Sequence, residues 1–380
     1  MSRRYVATKL KLGVVGTRGI PGVPGGVEIH CSELYPRLVS QGIDVTVYGR
    51  RAYVPSQTWQ GVRVVALRAP SSKGVEAAVH AFKAVLAAKR DGCDIVHFHA
   101  VGSGVALPLA RMLGMRAIFT VHAFDYLQRK WGRAAHTYLR LGEHLGMRWA
   151  DEVITVSEWQ RSVLEQRYQR EVHLQPNGAG APHHVEPSSV LRSLGLERGS
   201  YVLFVGRLVP DKRVEDLIAA TRHLPPEARV VIVADTSKTD EYVRSLRAAA
   251  SRSEASDRIV FADRRMGDEL AELYSNAQVF ALPSSVEGLP IALLEALSYG
   301  IPCVASDIPA NREILAGGEV GRLVPVHDVE ALAAAVNGLW RDEVERSRLS
   351  QAGIERTRTA YDWDRIASET LAIVTEAAAR

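Results

Sequence analysis

Short runs of β-branched residues recur along the whole chain, and behind most of them the apolar residues fall at helical spacing. In the first half the runs are Leu10–Gly16, Asp44–Tyr48, Val62–Leu67, Asp94–His99, Ala117–Val121 and Glu152–Val156. In the second they are Tyr201–Val205, Ala228–Ala234, Ile259–Phe261, Val279–Leu282 and Pro302–Ala305. Val27–Ser40, Gly74–Arg90 and Val214–His223 are among the helical stretches between them. Strand and helix in alternation predict parallel sheets covered on both faces, so the fold class is α/β. A chain of 380 residues is expected to hold about two domains. The stretch from Gln175 to Ser189 is rich in Pro, Gly and Ser, has no period and reads as a linker. On either side of it an apolar strand leads through a Gly/Arg loop into a helix. The expectation is two Rossmann-like domains in series with a ligand cleft between them.

Composition narrows the class. Charged residues make up 24 % and apolar residues 47 %, so a folded chain is expected. The net charge of +4 is mild and spread out, which argues against nucleic acid but allows a weak basic patch toward anionic lipid or a phosphorylated ligand. The three cysteines, Cys31, Cys93 and Cys303, are far apart, which excludes a disulfide framework and a cysteine-rich zinc site. The basic start at Met1 precedes only a short apolar stretch, Leu12–Val15, too short for a secretory signal. No run approaches the length of a membrane span. The expected location is the cytoplasm, with peripheral contact to the inner face of a membrane left open.

Four segments carry chemistry. The first runs from Gly16 through Arg18, Gly19 and Gly22 to Gly25, Gly26 and Glu28, between a strand and a helix. Such glycines either make a tight βα turn or let backbone N–H groups approach an anion. Gly49-Arg50-Arg51 stands after the second strand, where an NAD enzyme would place an acid; this opposes NAD, while arginines there would suit NADP. The second segment, Gly206-Arg207-Leu208-Val209-Pro210-Asp211-Lys212, offers two cations on a loop that opens a helix. It reads either as a diphosphate clamp or as a solvated turn in which Asp211 neutralises a neighbour.

The third segment runs from Pro283 through Glu287, Gly288, Leu289 and Pro290 to Glu295, Gly300 and Pro302. Pro290 suits the first turn of a helix and Gly300 the residue past its end. Glu287 therefore lies on the preceding loop and Glu295 on the helix, among Ile291, Leu293, Leu294 and Leu297. A carboxylate there needs a partner, either a buried Arg or a ligand diol. The fourth is Phe119-Thr120-Val121-His122, at the end of a strand. His122 is either a structural residue or a donor to a sugar hydroxyl. His97 and His99 share a strand face, but no further ligand follows at metal-binding spacing, so they read as core or cleft-lining residues.

In their joint order and spacing the four segments resemble the retaining glycosyltransferases of family 4, which have the GT-B fold of two Rossmann-like domains facing each other across a cleft. The E-x7-E element from Glu287 to Glu295, Arg207 with Lys212, the loop Gly206-Arg207-Leu208, the opening Gly16–Pro21 with Gly25-Gly26, and Tyr361-Asp362-Trp363 carry the resemblance, which covers essentially the whole chain. Within the family the opening resembles the subgroup of rhamnosyl-, mannosyl- and glucosyltransferases that build bacterial surface polysaccharides. The resemblance implies an acceptor-side domain over 1–178, a linker over 179–190, a nucleotide-sugar domain over 191–361 and a last helix over 362–380 crossing back to the first domain. It implies that Arg207 and Lys212 hold the donor's diphosphate and that Glu295 binds ribose hydroxyls. Glu287 would lie beside the transferred sugar, with N–H groups of Gly288, Leu289 and Ile291 toward its hydroxyls or phosphate. Gly25 and Gly26 would approach the diphosphate, and His122 would contact the sugar and assist transfer.

The implied activity is a hexosyltransferase that keeps the anomeric configuration. Its substrates would be a nucleotide-diphosphate sugar and a saccharide or lipid-linked saccharide acceptor. No Asp-x-Asp stands in a metal-binding context, so no metal and no cofactor is expected. Asp235-Thr236-Ser237, Ala262-Asp263 and Ala123 depart from glycines common in the family, and this opens the identity of the donor. A non-hydrolysing nucleotide-sugar epimerase and a catalytically silent nucleotide-binding protein remain as alternatives.

Overall fold

A computed structural model of the chain describes residues 9–70, 75–128, 131–234 and 241–380. They form two compact units. One holds the described residues up to Leu127, Trp131–Pro176 and Trp363–Arg380, and the other holds Asn177–Asp362 together with Gln128.

The first unit is built on an eight-stranded sheet of β1 (Lys11–Val15), β2 (Asp44–Arg50), β3 (Thr58–Trp59), β4 (Val62–Leu67), β5 (Ile95–His99), β6 (Arg116–Val121), β7 (Glu152–Thr155) and β8 (His173–Leu174). Their order is β3-β4-β2-β1-β5-β6-β7-β8. All pairings are parallel except β3 with β4. That exception follows from the turn, because Gln60 and Gly61 both have positive φ (42° and 85°) and a two-residue link joins only antiparallel strands.

Successive side chains of a strand reach opposite faces, and both faces are apolar. Leu12 and Val14 enter one core with Cys31, Leu34, Tyr35 and Leu38 of the helix Gly26–Ser40. Val15, Val96 and Phe98 enter the other. The helix Trp363–Ala379 completes the first of these cores with Trp363, Ile366, Ala367, Val374 and Ala377, so the end of the chain belongs to the first unit.

The second unit has six parallel strands, β9 (Tyr201–Val205), β10 (Arg229–Val233), β11 (Ile259–Ala262), β12 (Val279–Leu282), β13 (Cys303–Ser306) and β14 (Arg322–Val324). They run β11-β10-β9-β12-β13-β14. Residues 179–188 carry no helix or strand, and their polar groups bond within this unit: Val185 N–H donates to Ser275 Oγ (3.0 Å) and Ser188 N–H to Glu272 Oε1 (2.7 Å). Among the described residues no helix is long and apolar enough to cross a membrane.

Each sheet reverses its winding once. β1 lies between β2 and β5, and β9 lies between β10 and β12. At such a point the loops leaving the two central strands diverge, and a crevice opens past their C-terminal ends. The four sequence segments fall at these edges.

Candidate functional site

In the second unit the two loops at the reversal are the basic loop and the glutamate loop. β9 ends at Val205 and hands the chain to Gly206–Lys212, while β12 ends at Leu282 and leads into 283–290. Register pairs Phe280 with Leu203, so the two loops leave the sheet side by side. They are tied together: the Asp211 carbonyl accepts from Ser285 N–H (2.8 Å) and Ser285 Oγ (3.2 Å). Lys212 Nζ donates to Glu287 Oε1 at 2.5 Å, with side chains only 16 % and 10 % exposed. The neighbour that neutralises Lys212 is thus Glu287, seventy-five residues away, rather than Asp211. Arg207 is exposed in the same loop, and its guanidinium bonds to no described residue.

The helix after the glutamate loop runs Ile291–Ser298 with Pro290 as its N-cap, and Gly300 follows with φ 73°. The N–H groups of Gly288 and Leu289 donate to no described residue, and that of Ile291 belongs to the first helical turn, which has no acceptor within the helix. Asn177, in the stretch read as linker, braces this loop through Nδ2 to the Leu289 carbonyl (2.7 Å). Glu295 is half-buried, and its carboxylate accepts from the hydroxyl of buried Tyr274 (2.9 Å). A phenol is a partner that neither alternative read from the sequence, a buried arginine or a ligand diol, had named. Burial and the Glu295 charge push the Tyr274 hydroxyl well above its usual range, so it stays a donor.

In the first unit the glycine loop follows β1. Gly16 has φ 105°, and a Cβ there would stand 2.1 Å from the His99 carbonyl, so only glycine lets this loop pass the end of β5. Gly25 (φ 143°) is the N-cap of the helix Gly26–Ser40. A Cβ on it would meet Glu28 Oε2 at 2.2 Å, whereas at Gly26 nothing lies within 4 Å. The loop is closed by Arg18, which donates from Nε and Nη2 to the two oxygens of Glu28 (3.0 Å each) and from Nη2 to the Pro24 carbonyl. In the loop that the sequence left open between a tight turn and an anion site, the Arg18 charge is met by the partner ten residues on.

His122 ends up inside a polar cluster rather than alone. It is buried, and its Nε2 lies 2.8 Å from His99 Nδ1. His99 Nε2 meets the Tyr35 hydroxyl, which also meets His97 Nδ1 (3.0 Å), and His97 Nε2 meets Thr120 Oγ1 (2.7 Å). The His30 ring lies edge-on to His122 at 4.7 Å between centroids, and Trp363 closes on His30 at 5.4 Å. Burial first, then repulsion among the rings, holds His97 down to about 3 and His99 and His122 well below the usual imidazole range. All three are neutral at physiological pH.

His30, His99 and His122 bring one ring nitrogen each within 4.8 Å of one another. The sequence offers His97 and His99 no further ligand at metal-binding spacing, whereas in space His99, though not His97, is grouped with His30 and His122. The missing partners come from a helix and a neighbouring strand, where sequence spacing is silent. Sequence reading also missed Tyr35, Thr120, Tyr274 and Asn177. Each lies outside the segment whose functional side chain it supports or is a common core residue type.

Of the positions expected to be glycine, Ala123 is partly exposed and Ala262 ends β11, while Asp235–Ser237 lie outside the described residues.

The chemistry open to each edge follows from its groups. The second unit offers a free guanidinium, an ion-paired ammonium and unspent N–H groups, a set suited to a phosphoryl anion. The first offers neutral imidazole N–H and backbone N–H groups, suited to hydroxyls.

A family model described as "Glycosyl transferases group 1" matches residues 192–356, and one described as "Glycosyltransferase Family 4" matches residues 24–179. The chain is similar to the alpha-maltose-1-phosphate synthase of Mycolicibacterium smegmatis, with 31 % identity over 93 % of this chain and 96 % of the relative. It is also similar to the D-inositol 3-phosphate glycosyltransferase of Xylanimonas cellulosilytica, with 28 % identity over 94 % and 93 %. Among solved structures, the sucrose-phosphate synthase of Thermosynechococcus elongatus matches with TM-score 0.86, 22 % identity and 97 % and 99 % coverage. Anabaena HepE in complex with UDP-glucose matches with TM-score 0.80, 19 % identity and 97 % and 100 % coverage.

Proposed function

The chain belongs to the family 4 glycosyltransferases, and from that premise we propose that it moves a hexosyl group from a nucleotide-diphosphate sugar to an acceptor hydroxyl with retention of configuration. The observation that carries the donor class is the tie between the two loops at the β9/β12 edge. It holds Lys212 beside Glu287 and leaves the Arg207 guanidinium unspent. Cleaving a glycosyl–phosphate bond builds negative charge on the departing diphosphate, and fixed cations with helix-end N–H groups stabilise that charge in place of a metal ion. Arg207 and Lys212 take the diphosphate. Glu295 takes the ribose hydroxyls. Glu287, Gly288, Leu289 and Ile291 face the sugar and its phosphate. In the first unit Gly25 and Gly26 present N–H groups to a phosphate oxygen, and His122 donates to a sugar hydroxyl.

A relative solved with UDP-glucose favours a uridine nucleotide. Relatives named for maltose 1-phosphate and inositol 3-phosphate act on polyhydroxyl compounds, and a saccharide, free or lipid-linked, is the acceptor proposed here. The reaction would run in the cytoplasm.

Calorimetry with UDP, GDP, ADP and dTDP, in buffer containing EDTA, tests this reading. Binding selective for one nucleotide and lost in Arg207→Ala is the expected result. A folded protein that binds none of the four, or that binds only once Mg²⁺ or Mn²⁺ replaces the chelator, overturns the metal-free clamp.

A further inference from the structure

The buried polar series that ends at His122 has a direction, and the direction assigns a tautomer. Thr120 is 1 % exposed, and among the described residues its hydroxyl meets only His97 Nε2. A buried hydroxyl must donate its proton somewhere, and an orphaned donor is the costlier defect, so Thr120 donates to His97 Nε2. A neutral imidazole holds one proton, so His97 carries its own on Nδ1 and donates to the Tyr35 oxygen. The Tyr35 O–H then points to His99 Nε2. Burial pushes this phenol well above its usual range, so it keeps its proton. His99 in turn carries its proton on Nδ1 and donates to His122 Nε2. Nothing remains for His122 but the Nδ1–H form.

We propose that Thr120, His97, Tyr35 and His99 are positioning residues that fix His122 as an Nδ1–H donor, so that it presents an N–H to a sugar hydroxyl and does not act as a general base through Nδ1. This rests on the reading that His122 contacts the sugar, and it sharpens that reading by choosing between two opposite uses of one ring. The reversed series would leave the Thr120 proton without an acceptor. The alternative of a metal ion held by His30, His99 and His122 is disfavoured by the same geometry. Across the 2.8 Å contact His99 Nδ1 carries the proton and the His122 Nε2 lone pair accepts it, so neither facing nitrogen has a lone pair left for an ion.

The burial that keeps the rings neutral also makes the relay stable, since a second proton anywhere along it would place a charge among apolar side chains. Tyr35 is the coupling point, because its oxygen both accepts and donates and so joins, among the described residues, the Thr120–His97 pair to the His99–His122 pair by hydrogen bonds.

Long-range ¹H–¹⁵N correlation of histidine-labelled, ligand-free full chain reads each ring directly, with His122→Gln used for assignment. The expected spectrum shows His97, His99 and His122 all protonated on Nδ1. Thr120→Ser, which keeps the hydroxyl, should reproduce it. Tyr35→Phe should release His122 toward a mixture with the Nε2–H form, and kcat/KM should fall about three- to tenfold, the worth of one misdirected uncharged hydrogen bond. An Nε2–H His122 in the wild-type chain overturns the proposal with no variant needed, and so does a Tyr35→Phe protein whose His122 stays wholly on Nδ1–H. If instead the relay reads as expected but His122→Gln keeps wild-type kcat/KM, the sugar contact fails and the relay stands.

Discussion

The two winding reversals occupy the same place in their sheets and are furnished with opposite materials. At β9/β12 the working groups are ionised. Lys212 and Glu287, both largely buried, neutralise each other, and Arg207 stands open to solvent. At β1/β5 and along β6 they are uncharged, and the one strong pair, Arg18 with Glu28, is spent on closing its own loop. Pairing and depth together explain the difference. Arg207 keeps its charge in water and Lys212 keeps its own against Glu287, whereas His97 and His99 sit in a core among neutral hydrogen-bond partners, where an ionised ring would cost several kcal/mol. The contrast teaches which ligand feature each edge can recognise. On the proposed reading one serves an anion whose charge grows during reaction, the other neutral hydroxyls that need a fixed donor direction.

The largest effect should come from breaking the charged side. Lys212→Ala removes a cation held against Glu287 at the proposed diphosphate site, and kcat/KM should drop on the order of 10²–10³-fold. Steady-state kinetics beside a thermal melt separates catalysis from folding. Unchanged kcat/KM in the folded variant would move the anion elsewhere and dissolve the contrast.

The neutral side should be exposed by acid. His97 has an imidazole held down to about 3 by burial and by His30. Unfolded, the same ring titrates near 6.5. Between those values the unfolded chain binds the extra proton, so stability is full above pH 6.5 and is lost progressively as pH falls toward 3. The slope is about 1.4 kcal/mol per pH unit for each such ring, or about 2 kcal/mol at pH 5. Denaturant melts between pH 7.5 and 5 should show this loss, and His97→Gln should reduce its slope by one ring's share. A wild-type melt independent of pH over this range would mean the rings are solvated and the two edges less different than they look.

How much of this could be read beforehand differs between the two sides for a physical reason. The strands from Asp44 to Tyr48 and from Tyr201 to Val205 were legible, because buried parallel strands are rich in β-branched and aromatic residues, here Val45, Thr46, Val47 and Tyr48 and Tyr201, Val202, Phe204 and Val205. The two-residue strand Thr58–Trp59 was not, since a turn rather than a pattern defines it. Arg207, Lys212, Glu287 and Glu295 stood out because charge beside Gly and Pro in an apolar setting is locally conspicuous. The Lys212–Glu287 pair itself was invisible, as it depends on β9 and β12 becoming neighbours. The histidine relay was less legible still. Tyr35 sits at a core-facing helical position and Thr120 inside a strand, both ordinary for their types, and only folding brings them to His97.

The smallest expected effects come from two adjacent glycines, and they test whether the first unit is wholly a reader of neutral groups. Gly25→Ala would place a methyl 2.2 Å from Glu28 Oε2 at a φ of 143°, so it should cost about 1–2 kcal/mol by strain and by loosening the Arg18–Glu28 closure. Any loss of activity there is confounded with that damage. Gly26→Ala is cleaner. A Cβ at that position meets nothing within 4 Å, and Ala is the better helix former by about 1 kcal/mol, so Tm should hold or rise slightly. If a phosphate oxygen comes down onto the N–H groups of this helix end, the added methyl stands in its path, and nucleotide affinity measured by calorimetry should weaken a fewfold while Tm does not fall. The first unit would then bind an anion through backbone dipoles alone, with no ionised side chain committed to it. Unchanged affinity with unchanged Tm would assign the glycine to the loop's own geometry and leave the anion entirely to Arg207 and Lys212.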